Sequence, residues 1–285
     1  MLKIEKNKLY LVTGGSGFLG VPLCKKIISE GGNVRIFARD EGKLIQAKQE
    51  LPKVEIYSGD VADPFEVMQA MKGVDGVFHL AASKHVGLAE KFVRENIKSN
   101  TIGSLNLLEQ SIKQDLDFFL CISTDKAAQV SGVYGATKLL MERLCKQYES
   151  INKKCQYRVV RYGNVLYSTG SVLCKWKSLI EQGDEVVVTE PSATRFFWTV
   201  DQAVDLIFGC LHNSLDSTPY CPEMKSMSIE NLLKAMIEKY SNNKKIKITK
   251  IGLQPGENMH EKVLDDGPYS NEVNQFTINE IKELI

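Results

Sequence analysis

The chain of 285 residues carries 36 Lys plus Arg against 35 Asp plus Glu, for a net charge of +1, a balance that argues against a nucleic-acid surface as the main partner. Its length allows one large domain or two small ones around a substantial core. Apolar runs fall short of the ~20 residues that a membrane helix needs, and the N-terminus enters a strand-like run without a signal-peptide pattern, so no membrane segment and a cytoplasmic location are expected. Seven cysteines lie scattered without a C-x-x-C or a His-rich neighbour, which predicts neither a disulfide framework nor a metal site.

Residues 8–13 form a β-type run, followed at once by GGSGFLG and the apolar-periodic PLCKKII. Strand, glycine turn and helix in this order make a dinucleotide site out of Gly14, Gly17 and Gly20, spaced G-x-x-G-x-x-G, because missing side chains let backbone N–H groups approach a pyrophosphate. Phe18 and Leu19, inside the turn, are further candidate contacts. A second strand, 33–38, ends in Arg39 and Asp40, with Lys43 a turn further on. An acidic residue here binds the ribose 2′-hydroxyl of NAD and an Arg accommodates the 2′-phosphate of NADP; Arg39 comes first, which points to NADP. The alternative is that Asp40 caps the helix over 41–50 and Arg39 is solvated. A third strand, 54–58, leads to Asp60 and Val61, a carboxylate and an apolar wall for adenine, or else a turn and cap before Pro64. A fourth, 76–80, opens into Ala81 and Ala82, small enough for close backbone approach to a ligand, and then Lys84. A long amphipathic helix is predicted over 88–114. Strands alternating with helices indicate parallel β-α-β units and an α/β doubly wound sheet of Rossmann type.

The stretch 123–138, STDKAAQVSGVYGATK, spans a strand end, a loop and the start of a helix, where chemistry in open α/β sheets sits. Tyr134 and Lys138, four apart, share one helix face, and an ammonium beside a phenol eases loss of its proton. Asp125 and Lys126, next to Thr124, add a candidate acid and a candidate base. With the glycine motif and the strand-end alanines, this order resembles an extended short-chain dehydrogenase/reductase over nearly the whole length. The resemblance implies Tyr134 as base, Lys138 as the group that lowers its pKa and holds the nicotinamide ribose, and Thr124 as the group that orients the reacting hydroxyl.

STDKAA with YGATK, RYGNV at 161–165, GSV at 170–172 and PGENMHE narrow the resemblance to nucleotide-sugar 4,6-dehydratases acting on UDP-N-acetylglucosamine, and within them to the short branch that inverts C5. It implies that NADP stays bound and is regenerated each cycle, that Lys126 removes the C5 proton, and that Asp125 protonates the departing C6 hydroxyl. A lysine can act so near neutral pH only with a lowered pKa. The product would be UDP-2-acetamido-2,6-dideoxy-β-L-arabino-hex-4-ulose. By the same resemblance Asn164, Arg195 and Glu257 fall to the UDP-sugar, Arg195 because a guanidinium suits phosphate oxygens; Lys84, past the fourth strand, is a further candidate substrate contact or else a surface lysine. The family commonly has Arg before Pro-Gly-Glu, where this chain has Gln254; that shifts diphosphate charge onto Arg195 or a lysine such as Lys175 or Lys177.

The regular alternation stops after Val165, so residues 1–165 are read as the NADP-binding domain, with 199–213 packing back on it, and 166–285 as a smaller substrate-binding domain. Leu140 with Leu144, and Met141 with Cys145, give the helix after Val133 a broad apolar face, which predicts a homo-oligomer built on a dimer. Two rivals stand beside the dehydratase: a nucleotide-sugar 4-epimerase or reductase, which has no use for Asp125 and Lys126, and a non-catalytic NADP-binding sensor or scaffold.

Overall fold

Six chain segments alternate with helices to build the central sheet: β1 (Leu9–Thr13), β2 (Asn33–Ala38), β3 (Glu55–Ser58), β4 (Gly76–His79), β5 (Phe118–Thr124) and β6 (Gln156–Tyr162). The structure is a computed structural model and describes residues 2–285. All pairings in this sheet are parallel, in the order β3-β2-β1-β4-β5-β6 with Pro219–Tyr220 added beside β6. Strand order therefore reverses between β1 and β4, whose last residues Thr13 and His79 pair directly, and a doubly wound sheet opens its ligand crevice at that point. Alternate strand residues feed two cores. Tyr10 and Val12 pack with α1 (Gly20–Ser29), while Leu11 faces the other side. Every residue of β5 is buried, as expected for a central parallel strand covered on both faces.

Asp40 caps α2 (Glu41–Glu50) by accepting from Lys43 N, and Asp63 caps α3 (Pro64–Ala70). The helix predicted over 88–114 is interrupted. It divides into α4 (Val86–Ala89), α5 (Val93–Asn96), a π-helical segment Ile97–Ile102 and α6 (Gly103–Lys113). The first break falls at Phe92, whose φ of −118° and ψ of 57° leave the helical region. Next to it, Glu90 accepts the N–H of Val133 at 2.7 Å, an orphan donor at the start of α7 (Val133–Ile151), whose own N-cap is a glycine without a side chain to offer.

Beyond β6 the chain forms β7 (Asn164–Val165), α8 (Val172–Gln182), β8 (Val186–Val188), β9 (Thr194–Trp198) and α9 (Val200–Asn213). A Thr199–Gln202 capping box starts α9, and its Val204, Ile207 and Leu211 join the core under α1. β10 (Pro219–Tyr220), from within the stretch read as substrate-binding, supplies the seventh strand of the large sheet. β11 (Ser226–Ser228), α10 (Ile229–Tyr240), β12 (Ile248–Lys250) and α11 (Ile278–Leu284) complete the second lobe. A separate core of Trp176, Ile180, Phe197, Leu232 and Met236 holds it together. Met141 and Cys145 belong to the monomer core, while Leu140 stays exposed. Among the described residues no helix is long and apolar enough to cross a membrane.

Candidate active site

The glycine turn after β1 leaves no room for side chains. A Cβ on Gly20 would collide with Gly14 O, and Gly14 takes φ +68° with its open side 3.1 Å from Ala81 N. Gly14 and Ala81 therefore meet across the β1/β4 crevice, and Ala81 N donates to Thr13 Oγ1 at 3.1 Å. Behind them His79 is fully buried, with Nδ1 at 2.8 Å from Thr13 Oγ1 and Nε2 at 2.9 Å from Ser104 Oγ. Ser104 gives its own proton to Asn100 O, so Nε2 carries hydrogen and Nδ1 accepts from Thr13. Burial, helped by the charge of Lys138, pulls the imidazole down to about 3, and His79 is a neutral strut.

On the outer side Gly17, Phe18 and Lys43 border a cleft of about 340 Å³. Leu19 sits at the N-terminus of α1. Arg39 is 60% exposed and touches Asp60 only at 3.9 Å, so its guanidinium has little prior commitment. Asp40 is the helix cap. Asp60 is less free than a bare carboxylate facing adenine: it accepts from Ala62 N at 3.0 Å and pairs with Lys98 at 3.3 Å. Burial opposes that, but these donors hold its carboxyl below the usual range. Val61 is buried, and its carbonyl accepts from Asn106. Ala82 is half-buried past β4. The bare glycine turn, the small residues at the β4 end and the uncommitted Arg39 fit a dinucleotide.

β5 continues through Ser123 and Thr124, which places Thr124, Asp125 and Lys126 where the strand leaves the sheet. Tyr134 lies beside Thr124, and Thr124 Oγ1 donates to Asp125 Oδ1 at 2.8 Å. Lys126 Nζ stands 3.0 Å from both Asp125 carboxylate oxygens. One hydrogen-bonded chain thus runs from the Thr124 hydroxyl through Asp125 to the Lys126 ammonium. Gly135 of the helix makes this possible, since a Cβ there would collide with Lys126 O. Burial pushes the Tyr134 phenol up to about 12, against the neighbouring Thr124 hydroxyl and the Lys126 charge. Burial pulls Lys138 down to about 8; its Nζ lies against Met141 Sδ.

A free Lys126 amine, which a base at C5 requires, is not the state that this arrangement favours. Burial works to lower its pKa, but Asp125 and Glu261, the latter at 3.2 Å, outweigh it and raise the value above that of an ordinary lysine. Arg195, expected on diphosphate, is buried, with Nη1 donating to the carbonyls of Thr194 and Met259 and Nε 3.5 Å from Glu261. Asn164 donates to Phe196 O, and Glu257 accepts from Gln254 N within its own turn. Lys84 is exposed, close to Lys43 and Cys174. Lys177 lies over the ring of Tyr240 at 4.7 Å. The PGENMHE segment carries Glu257 and Glu261 across the catalytic loop in antiparallel register: Ser131 donates to Gly256 O, Asn258 to Gln129 O, and Lys126 meets Glu261.

Three positioning groups escaped the sequence reading. Asn100, in the π-helical segment, bonds Ser83 N and O and also Thr137 Oγ1, tying the β4 end to α7. Such one-turn π segments recur at functional sites. Glu142 accepts from Ser123 Oγ and from Arg161 Nε and Nη2, and Arg161 Nη1 reaches Asp265 at 2.7 Å. Glu261 is the third, and the H-E that ends PGENMHE was its available signal.

The model of the family described as Polysaccharide biosynthesis protein matches residues 10–283. The chain is 37% identical over 270 residues to the Methanocaldococcus jannaschii protein "Uncharacterized membrane protein MJ1061", covering 91% of this chain and 81% of that one. It is 35% identical over 272 residues to a Rickettsia akari protein named UDP-glucose 4-epimerase, with 90% and 78% covered. The crystal structure of Pen from Bacillus thuringiensis superposes with a TM-score of 0.93 at 28% identity over 99% of this chain and 98% of that one.

Proposed function

The chain belongs to the Polysaccharide biosynthesis protein family of extended short-chain dehydrogenases/reductases, and we propose that within it the protein is an NADP-dependent UDP-N-acetylglucosamine 4,6-dehydratase that inverts C5. The observation that carries this reading is the Asp125–Lys126 pair, 3.0 Å apart, with Thr124 bonded to Asp125 and Tyr134 beside it. A 4-epimerase needs the tyrosine, lysine and threonine; elimination also needs an acid and a base side by side.

The bare glycine turn, Ala81, Ala82 and Arg39 would hold the dinucleotide, which supplies hydride uptake from C4 and hydride return to C6. Tyr134 accepts the C4 hydroxyl proton while Thr124 orients that hydroxyl; burial opposes ionisation of the phenol and the Lys126 charge favours it, and Lys138 would hold the nicotinamide ribose. The new ketone acidifies the C5 proton. In the resting pair the proton sits on Lys126. Its passage across the 3.0 Å contact converts ammonium and carboxylate into amine and carboxylic acid. Lys126 then takes the C5 proton as Asp125 gives its proton to the departing C6 oxygen, and water leaves. This exchange answers the unfavourable charge state of Lys126: the pair, rather than the lysine alone, is the acid-base unit. C5 takes a solvent proton on the face opposite Lys126, which inverts it, and Tyr134 releases to solvent the proton it took from the C4 hydroxyl, so that Asp125, Lys126 and Tyr134 end in their starting charge states.

Lys84, Asn164 and Glu257 are the proposed contacts to uridine diphosphate. With Arg195 turned to Glu261, the exposed Lys84 and Lys175 would carry more of the diphosphate charge. The name of the Rickettsia akari relative favours the 4-epimerase as second reading. Purified protein incubated with UDP-N-acetylglucosamine separates the readings: loss of one water with a new methyl signal for the dehydratase, a C4 epimer of unchanged mass for the epimerase, and no conversion for a sensor.

A further inference from the structure

Glu261 is 1% exposed, yet its Oε2 has no hydrogen-bond partner among the described residues. Its Oε1 meets two cations, Lys126 Nζ at 3.2 Å and Arg195 Nε at 3.5 Å. A carboxylate that deep with half its capacity unused calls for a physical reason. Its place is fixed independently of Lys126. Glu261 N donates to Ser270 Oγ at 2.9 Å, and Ser270 Oγ bonds Thr194 O at 3.0 Å. The neighbouring His260 is held by Thr194 Oγ1 at 2.8 Å. β9 and the C-terminal segment thus present the carboxylate to the catalytic loop at a fixed position.

We propose that Glu261 is the positioning residue of the elimination pair, holding Lys126 Nζ against Asp125 and fixing how the protons are shared there. The proposal rests on the dehydratase reading for its consequence in catalysis. Lys126 is faced by Asp125 from its own turn, by Tyr134 from α7, and by Glu261 and Arg195 from the far lobe. The Cys221 thiol lies near Asp125. Two carboxylates balance two cations while Lys126 is protonated. Removing the charge of Glu261 leaves Asp125 alone against both, so Lys126 releases its proton at lower pH. Burial alone lowers an amine's pKa, and the loss of one opposite charge at this range corresponds to about 1–3 pH units.

The test reads Lys126 directly in substrate-free protein. Side-chain NMR of lysine-labelled protein, with the Lys126 signal identified by its loss in Lys126→Arg, follows the titration in the wild type and in Glu261→Gln. The expected result is a midpoint lower by about 1–3 pH units in the variant. The pH at which C5 deuterium exchange is half-maximal should fall with it. Glu261→Asp, which keeps the charge but withdraws it, should shift the midpoint less and in the same direction; it carries the test if the amide variant does not fold. An unchanged Lys126 midpoint overturns the proposal. A shifted midpoint in a protein that removes no water from UDP-N-acetylglucosamine keeps the coupling and removes the dehydratase reading instead.

Discussion

Replacing Glu142 by Gln should destabilise the protein by about 3 kcal/mol, the lower end of the 3–5 kcal/mol seen when one partner of a buried ion pair is removed. Arg161 is 1% exposed and Glu142 5%, and they meet through two hydrogen bonds of 2.8 and 2.6 Å. The substituted amide would keep one acceptor oxygen, and Arg161 would keep Asp265, a carboxylate 63% exposed and screened by solvent. These two remnants are why the lower end applies. At about 2 °C per kcal/mol for a chain of this size, Tm should fall by about 6 °C. Chemical denaturation of wild type, Glu142→Gln and the double variant Glu142→Met with Arg161→Met measures it. The double variant should recover most of the loss, because removing both charges leaves nothing uncompensated. A loss below about 1 kcal/mol in Glu142→Gln, or a double variant no better than the single, would refute the assignment of this pair as the clamp between α7, β6 and the C-terminal segment.

His79 makes stability fall in acid. Its folded pKa, about 3, lies below the ordinary 6.5, so between these values the unfolded chain binds a proton that the folded one refuses, at about 1.4 kcal/mol per pH unit. His79→Gln should lose that slope between pH ~6.5 and ~4, measured as denaturation midpoints against pH; an unchanged slope contradicts the neutral strut. Arg39→Ala should weaken NADP far more than NAD in direct binding titrations, because only NADP presents a phosphate to the guanidinium, and equal losses would leave NADP unsupported. If the 51% exposed Leu140 lies in a helix-pair dimer contact, Leu140→Asp should shift sedimentation toward monomer while leaving the melting of the monomer core unchanged; a wild type monomeric at micromolar concentration removes the dimer.

The parallel sheet was legible because each strand is a short apolar run bounded by glycine or polar residues, and each helix repeats with its own period. Local pattern could not show where a side chain is needed elsewhere in the fold. Glu90 fits the amphipathic run over 88–114, yet its side chain serves to cap α7. Asp40 stood mainly as part of the ribose-binding strand end, with a helix cap as the alternative, and the N–H of Lys43 shows it capping α2. At the site, Thr124, Asp125, Lys126, Tyr134 and Lys138 stood out because they are close in the chain. Glu261 comes to Lys126 only through the antiparallel lie of PGENMHE across the catalytic loop, a tertiary fact without a local trace. Arg195 meets the same carboxylate through Nε, a second tertiary contact that local pattern does not show.

The claim that Asp125 and Lys126 perform an elimination is tested most directly by Lys126→Ala with UDP-N-acetylglucosamine in deuterated water. The wild type should release water and carry deuterium at C5 of a product with inverted configuration. The variant, with Tyr134, Lys138 and the glycine turn intact, should stop at a 4-keto sugar that retains its C6 oxygen and its C5 hydrogen. Normal turnover by Lys126→Ala at saturating substrate, with deuterium still entering C5, would contradict the mechanism.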